Sequence, residues 1–278
     1  MKSGFVTFVG RPNVGKSTLL NRIMGEKVSI VSDKPQTTRF PVRGVLNLPG
    51  AQVVFVDTPG FHKPVSALGE RLNSNAGDAL AGVDVVCLVI DATKPFGSGD
   101  RWVAERCPRD TVVVLNKVDS VPAATVMTQL AAAGALDFSA YFPVSAKTGT
   151  GVQALVEHVL GRLPEGPAFY PDDVVVDLPD EVRVAELVRE QLLAATREEL
   201  PYSIATRVTE WEWPRIRVEI LVERDSQKGM VIGKGGAVLK QVGTAVRAQL
   251  PKGAHLELFV KVDKDWQQRP DRLDRLGY

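Results

Sequence analysis

Four short stretches of the chain hold residue types suited to binding phosphate, metal and a purine base. In Gly10-Arg11-Pro12-Asn13-Val14-Gly15-Lys16-Ser17, with Thr18 next, the glycines let backbone N–H groups close around a phosphate. Lys16 neutralises its outer oxygens and the Ser17 hydroxyl suits Mg²⁺. A strand-like run, Phe5 to Val9, precedes this loop and a helix is expected from Lys16, so the helix dipole favours the same anion. Asp57-Thr58-Pro59-Gly60 follows a second apolar run, where a carboxylate would reach Mg²⁺ through a water. Asn116-Lys117-Val118-Asp119 follows a third. Asp119 can accept two hydrogen bonds from the ring N–H and exocyclic amine of guanine, a donor pair that adenine lacks. Asn116 would tie this loop to the first, and the Lys117 stem would lie along the base. Ser145-Ala146-Lys147 would offer backbone N–H groups to the guanine carbonyl. The order phosphate, metal, base, base, each at a strand end, indicates a guanine-nucleotide site, for GTP and GDP with Mg²⁺, rather than an ATP site.

Between the first helix and the next strand, the polar stretch Ser32 to Pro41 has the position of a loop that senses the γ-phosphate. Thr38 is the expected hydroxyl on Mg²⁺ in the triphosphate state, with Thr37 its close rival. Small GTPases of the Ras type place a glutamine after the glycine of the second stretch to orient the attacking water; here that position holds Phe61. Hydrolysis must then rest on backbone groups, cations such as Lys16, or a partner. Unassisted turnover is expected to be slow, on the order of 10⁻³ s⁻¹ or below. Asn13 has two uses open to it: its side-chain oxygen holds a monovalent cation, K⁺ for example, against the phosphates, or it makes an ordinary hydrogen bond within the loop. His62 is either a water-positioning residue or a solvated loop histidine.

A second glycine loop, Val231-Ile232-Gly233-Lys234-Gly235-Gly236, opens an expected helix near the C-terminal end. From Arg224 to Arg247 there are five basic side chains, Arg224, Lys228, Lys234, Lys240 and Arg247, against one acidic, Asp225. In KH domains a GxxG loop between two helices brings backbone close to the sugar-phosphate of about four unpaired nucleotides, whose bases lie on an apolar groove. Lys228, Ile232, Gly233, Lys234, Gly235, Gly236 and Lys240 are therefore the expected RNA contacts. Trp211 and Trp213 either stack bases or belong to the core and rim of a strand.

These residues need a scaffold. Runs apolar on both faces, Phe5 to Val9, Val42 to Leu48, Val53 to Val56, Val85 to Ile90, Thr111 to Leu115 and Tyr141 to Val144, alternate with helical patterns. That predicts a mainly parallel sheet covered on both sides, a doubly wound α/β domain over residues 1–163. Four prolines and six acidic residues, with no Lys or Arg, mark Pro164 to Glu181, and residues 164–180 are assigned as a linker. Residues 181–278 follow the order α-β-β-α-β-α, an α+β domain of the type II KH pattern. The chain has 278 residues, 44% of them hydrophobic, enough for two domains each with its own core. A formal charge of +1 gives no global field for a polyanion, so RNA must meet a local patch. Two cysteines form no disulfide framework or metal site, no apolar run approaches the roughly 18 residues of a spanning helix, and a cytoplasmic monomer is expected.

From GRPNVGKSTLLN through QTTR, DTPG, NKVD and SAK to ELPYS (Glu199 to Ser203), VERDSQKGMVIGKGG and HLELFVKV, the chain resembles the Era GTPases of bacteria, which join a TrmE–Era-type G domain to a C-terminal KH domain. The resemblance implies GTP hydrolysis coupled to assembly of the 30S small ribosomal subunit. It also implies a KH domain on single-stranded 16S ribosomal RNA near the 3′ end and, in part, peripheral contact with the inner membrane. The family also carries a hydrophobic residue at the position of Phe61. The compact stretch Glu212 to Arg215 lacks the longer hairpin of some relatives. The switch expected from this likeness orders Ser32 to Pro41 and Gly60 to about Asn75 around GTP. Alternatives are a GTPase acting on another RNA, such as tRNA, and a passive RNA-binding protein with a structural nucleotide.

Overall fold

The computed structural model describes residues 1–64, 66–196 and 200–278. Glu199 of the ELPYS stretch, and residue 65 within the second expected switch segment, lie outside the described residues. By its contacts the chain divides into two compact units, one formed by Met1–Val31, Thr38–Pro64 and Gly69–Asp177 and the other by Leu178–Tyr278 together with Ser32–Thr37 and residues 66–68.

In the first unit the order is β1 (Lys2–Val9), α1 (Lys16–Met24), β2 (Val42–Leu48), β3 (Ala51–Asp57), α2 (Ala67–Asp78), β4 (Val85–Asp91), α3 (Ser98–Ala104), β5 (Val112–Asn116), α4 (Ala123–Gly134), β6 (Ala140–Pro143), α5 (Val152–Arg162) and β7 (Val176–Asp177). The sheet runs β6-β5-β4-β1-β3-β2-β7. Pairs from β6 through β3 are parallel, whereas β2 and β7 join antiparallel at the edge. Alternation along one strand shows why both faces are apolar: Val85, Cys87 and Val89 of β4 enter the core beneath α1 and α5, while Val86, Leu88 and Ile90 enter the opposite core with Ala76, Val103 and Ala133. Burial pushes the Cys87 thiol up to about 12, so it behaves as a small apolar residue.

The acidic stretch expected to be a linker is largely built into this unit. Buried Gln52 donates to the Tyr170 carbonyl at 2.8 Å and accepts from the Phe169 and Tyr170 amides at 2.7 and 3.0 Å, and Ser3 Oγ donates to the Pro167 carbonyl at 2.7 Å. β7 pairs with β2, Arg43 opposite Asp177. Only residues 178 and 179 then separate β7 from the next helix.

The second unit contains α6 (Asp180–Ala195), β8 (Ala205–Glu212), β9 (Arg215–Val222), α7 (Asp225–Ile232), α8 (Ala237–Arg247), β10 (His255–Val262) and α9 (Pro270–Leu276). Its sheet runs β10-β9-β8, with β8 antiparallel and β10 parallel to β9. Val184, Leu187, Val188 and Leu192 of α6 pack with Val242 and Val246 of α8 over Ile216, Val218 and Ile220 of β9. The expected order omitted α7. Its start is set locally, because Gln227 Oε1 accepts from the Glu223 and Arg224 amides at 2.9 and 3.1 Å. Eight residues with Gly229 inside show too weak a helical period to stand out.

Candidate functional site

Gly15 caps α1 with φ 96°, and a Cβ there would lie 2.4 Å from Asn116 Nδ2, so only glycine lets the phosphate loop sit against the loop after β5. Asn116 Nδ2 donates to the Val14 carbonyl at 2.9 Å. Buried Lys16 turns its ammonium toward the Gly10 and Arg11 carbonyls, at 3.5 and 3.3 Å. Burial lowers its pKa to about 8, against the opposing pull of Asp57. Arg11 pairs with Asp100 of α3 at 3.3 Å. Pro12 lies against Gly60, where a Cβ would come within 2.8 Å of Pro12 N. Thr18 follows Ser17 in the first turn of α1, and Thr58 donates to the Phe8 carbonyl at 2.8 Å, which secures Pro59 and the turn after β3.

Three hydroxyls converge on one carboxylate oxygen. Asp57 Oδ2 accepts from Ser17 Oγ at 2.6 Å, Ser29 Oγ at 2.8 Å and Thr38 Oγ1 at 3.3 Å, and Ser17 and Thr38 are themselves 3.0 Å apart. Burial raises the Asp57 pKa, against the lowering effect of Lys16 and the hydroxyls. The other oxygen, Asp57 Oδ1, is buried without a hydrogen-bond partner among the described residues. Hydroxyls, one carboxylate and an orphaned acceptor fit a hard divalent cation such as Mg²⁺. Among the described residues no group of three or more His, Cys, Asp or Glu could hold a metal ion. Of the two rival threonines, Thr38 is the one brought to this cluster. Thr37 Oγ1 donates to the Lys34 carbonyl at 2.6 Å instead.

At the base-reading end, Ser145 Oγ donates to Asp119 Oδ1 at 2.6 Å, and this bond chiefly holds the carboxyl below its ordinary value. Asp119 is thus ionised and oriented to accept from a donor pair. Lys117 Nζ lies 2.6 Å from both the Asn13 carbonyl and Asp91 Oδ2, so its stem runs between phosphate loop and base loop. Of the three amides expected to face the guanine carbonyl, two are already used: Ser145 N donates to Thr150 O at 2.9 Å and Ala146 N to Asn116 Oδ1 at 3.0 Å. The amide of exposed Lys147 is the remaining donor among the described residues.

Sequence reasoning did not single out Ser29, Asp91 or Arg22. Arg22 of α1 donates to the carbonyls of Ala146, at 2.9 Å, and Lys147, holding the last loop from behind. Ser29 is itself placed by Asn21, whose Oδ1 accepts from the Val28 and Ser29 amides at 2.9 Å. The sole prior hint for Asp91 was its place at a strand end, like Asp57. Phe61 turns inward, 4% exposed, edge-on to Trp102 with ring centroids 6.1 Å apart, so its ring is core. His62 Nδ1 lies 3.0 Å from the Gly60 carbonyl and its backbone is tied to Asn73. Asn13 adopts φ 64° at the head of the loop.

In the second unit, Gly233, Lys234, Gly235 and Gly236 form a tight turn between α7 and α8. A Cβ on Gly233 (φ 73°) would approach Val238 Cγ2 within 2.6 Å, whereas Gly235 and Gly236 face open space. The first glycine therefore packs the turn and the later ones expose backbone. Lys234 and Lys240 are exposed and Lys228 and Ile232 half-buried around this turn. Trp211 packs against the core, and Trp213, 52% exposed, lines a cavity of about 410 Å³ with Arg183 and Leu250, away from the glycine turn at the other end of α8.

The doubly wound sheet with a phosphate loop after β1, a carboxylate after β3 and a guanine-type acceptor after β5, joined to a unit with a GxxG turn between two helices, defines a P-loop GTPase carrying a KH domain. A family model described as a 50S ribosome-binding GTPase matches residues 5–117, and one described as a KH domain matches residues 199–267. GTPase Era of Mycobacterium avium (strain 104) is 46% identical over 296 aligned residues, covering 100% of this chain and 99% of the relative. GTPase Era of Mycobacterium tuberculosis (strain ATCC 25177 / H37Ra) is 46% identical, covering 99% and 98%. The crystal structure of Era in complex with MgGDPNP and nucleotides 1506–1542 of 16S ribosomal RNA is 38% identical with a TM-score of 0.95, covering 100% of this chain and 99% of the other. A variant of Aquifex aeolicus Era bound to GDP·AlF4⁻ is 39% identical with a TM-score of 0.94, at the same coverage. The chain belongs to the GTPase Era family, and its activity is GTP hydrolysis. No helix among the described residues is long and apolar enough to cross a membrane.

Proposed function

We propose that this chain is a GTP-driven switch that grips single-stranded 16S ribosomal RNA near its 3′ end during assembly of the 30S subunit in the cytoplasm. The observation that carries this reading is the pairing, in one chain, of the Ser17–Asp57–Thr38 cluster with the glycine turn at 233–236. The relative solved with both MgGDPNP and a 16S ribosomal RNA segment, similar from end to end, supports the RNA assignment.

In this account the amides of Asn13 to Ser17 and the Lys16 ammonium hold the β- and γ-phosphates, and Asp119 with the Lys147 amide reads guanine. Ser17 and Thr38, together with Asp57, would hold Mg²⁺, which would neutralise charge on the phosphate oxygens. Water attacks the γ-phosphate, the bond to the β–γ bridging oxygen breaks, and GDP and phosphate leave. Since Phe61 is buried, the attacking water is oriented by loop backbone and cations. A monovalent cation at Asn13 would supply charge that an arginine finger supplies elsewhere. At the other end, Gly235 and Gly236 admit the sugar-phosphate backbone, Lys234 and Lys240 meet its phosphates, and Ile232 flanks the bases with Lys228.

Crosslinking the protein to cellular RNA with and without GTP tests the assignment. Recovery of the 16S 3′ end in a nucleotide-dependent manner is expected. Recovery of tRNA, or of the same RNA regardless of nucleotide and unaffected by Lys16→Ala, replaces it with one of the two alternatives.

A further inference from the structure

The helix that presents Lys16 and Ser17 at its N-terminal end carries Arg22 in its last turn. Arg22 Nε donates to the Ala146 carbonyl at 2.9 Å, and Nη2 donates to the Lys147 carbonyl. The Ala146 carbonyl and the Lys147 amide belong to one peptide unit, and it is trans, since the one cis bond among the described residues joins Trp213 to Pro214. In a planar trans peptide the C=O and N–H point to opposite sides, so a donor that grips the carbonyl also sets where the amide aims. The neighbouring amides of this loop are already used. Ser145 N donates to Thr150 O at 2.9 Å, Ala146 N to Asn116 Oδ1 at 3.0 Å, Thr148 N to Ser145 Oγ at 3.0 Å and Gly149 N to Ser145 O at 2.8 Å. Among the described residues of the loop, the amide left over is that of Lys147, and its peptide is the one Arg22 holds.

We propose that Arg22 is a positioning residue for base recognition, which acts by holding the 146–147 peptide so that the Lys147 amide donates to the 6-oxo group of guanine. The inference rests on the reading of this loop as the station for the guanine carbonyl. Every residue it invokes belongs to the first unit. A guanidinium makes stronger bonds to carbonyls than a neutral donor, and a bond at the Ala146 oxygen polarises the same peptide toward a better N–H donor. The fork also takes two successive carbonyls at once, which resists rotation of the loop where a single bond would permit it. One helix thus fixes the phosphate end of the site relative to its base end. Arg22 is itself exposed, so truncating it opens no cavity in the core.

The test titrates full-length wild type and Arg22→Met with three diphosphates, in Mg²⁺ and at fixed salt. GDP carries the 6-oxo group, the ring N–H and the 2-amino group. IDP keeps the 6-oxo group and the ring N–H without the amine, whereas 2-aminopurine riboside diphosphate keeps the amine without the 6-oxo group. GDP and IDP affinities should fall alike by roughly five- to tenfold, while 2-aminopurine affinity stays within about twofold and the melting temperature does not move. Wild-type GDP affinity in the variant overturns the proposal. Equal losses on all three nucleotides, or a lowered melting temperature of the nucleotide-free protein, mark a general structural role and overturn it too. So does a loss on GDP well beyond that on IDP, which places the effect on Asp119 and the amine. A wild-type chain that binds GDP no better than ADP would instead remove the guanine reading beneath the inference.

Discussion

The side chain of Asn116 reaches the Val14 carbonyl at 2.9 Å, making the base-reading loop and the phosphate loop one object. Its Oδ1 also accepts from the Ala146 amide at 3.0 Å and the Lys117 amide at 2.8 Å, so three of the four stations meet at one buried side chain. Asn116→Ala leaves buried donors and acceptors unpaired, at about 1–3 kcal/mol each. GDP and GTP affinities should fall together by about 10- to 100-fold, read by fluorescent-nucleotide titration; a change confined to base selectivity would contradict the linkage.

Base choice is predicted to rest on Asp119 as held by Ser145. Asp119→Asn should cost at least about 100-fold in GTP affinity and favour xanthosine triphosphate, because the donor–acceptor match is inverted. Ser145→Ala should give a smaller loss that grows on mild acidification, since the bond that depresses the Asp119 pKa is gone and the carboxylate protonates at higher pH. Competition binding at two pH values measures both.

The glycine turn separates packing from RNA contact. Gly233→Ala should destabilise the protein by about 1–3 kcal/mol, through its clash with Val238 and its positive φ, seen as a lower melting temperature. Lys234→Ala should leave the melting temperature unchanged while lowering affinity for single-stranded RNA and reducing the slope of affinity against salt by about one unit.

Asp177 accepts from Tyr170 Oη at 2.6 Å and Arg43 Nη1 at 3.0 Å, and these bonds, Tyr170 first, lower its pKa. With the folded value depressed, the stabilisation is complete above the usual carboxylate range and disappears as pH falls through the folded value. The pair is partly exposed, so Asp177→Asn should cost only a few tenths to about 1 kcal/mol near pH 7. The gap to wild type should close toward about pH 3 in thermal denaturation.

Apolar runs and strand-end motifs made the first unit legible because each strand is buried on both faces and each functional loop begins where a strand stops. Thr38 and Thr37 are close rivals in the sequence, with Thr38 preferred, and the structure separates them by which hydroxyl reaches Asp57. Ser29, Asp91 and Arg22 support the site through single contacts that carry no spacing signal. Arg22 reaches a loop 124 residues away in sequence. The acidic segment after Leu163 reads as a linker by composition, yet it docks because buried Gln52 supplies partners for its backbone. α7 was hidden by its brevity, and its start depends on Gln227.

Nucleotide control of the RNA grip is the central claim, and anisotropy of a fluorescent single-stranded RNA matching the 3′ end of 16S ribosomal RNA tests it most directly. With Mg²⁺ present and salt fixed, affinity in a nonhydrolysable GTP analogue should exceed that in GDP by roughly tenfold or more, a coupling of about 1.4 kcal/mol. Equal affinities in the two nucleotides would contradict it.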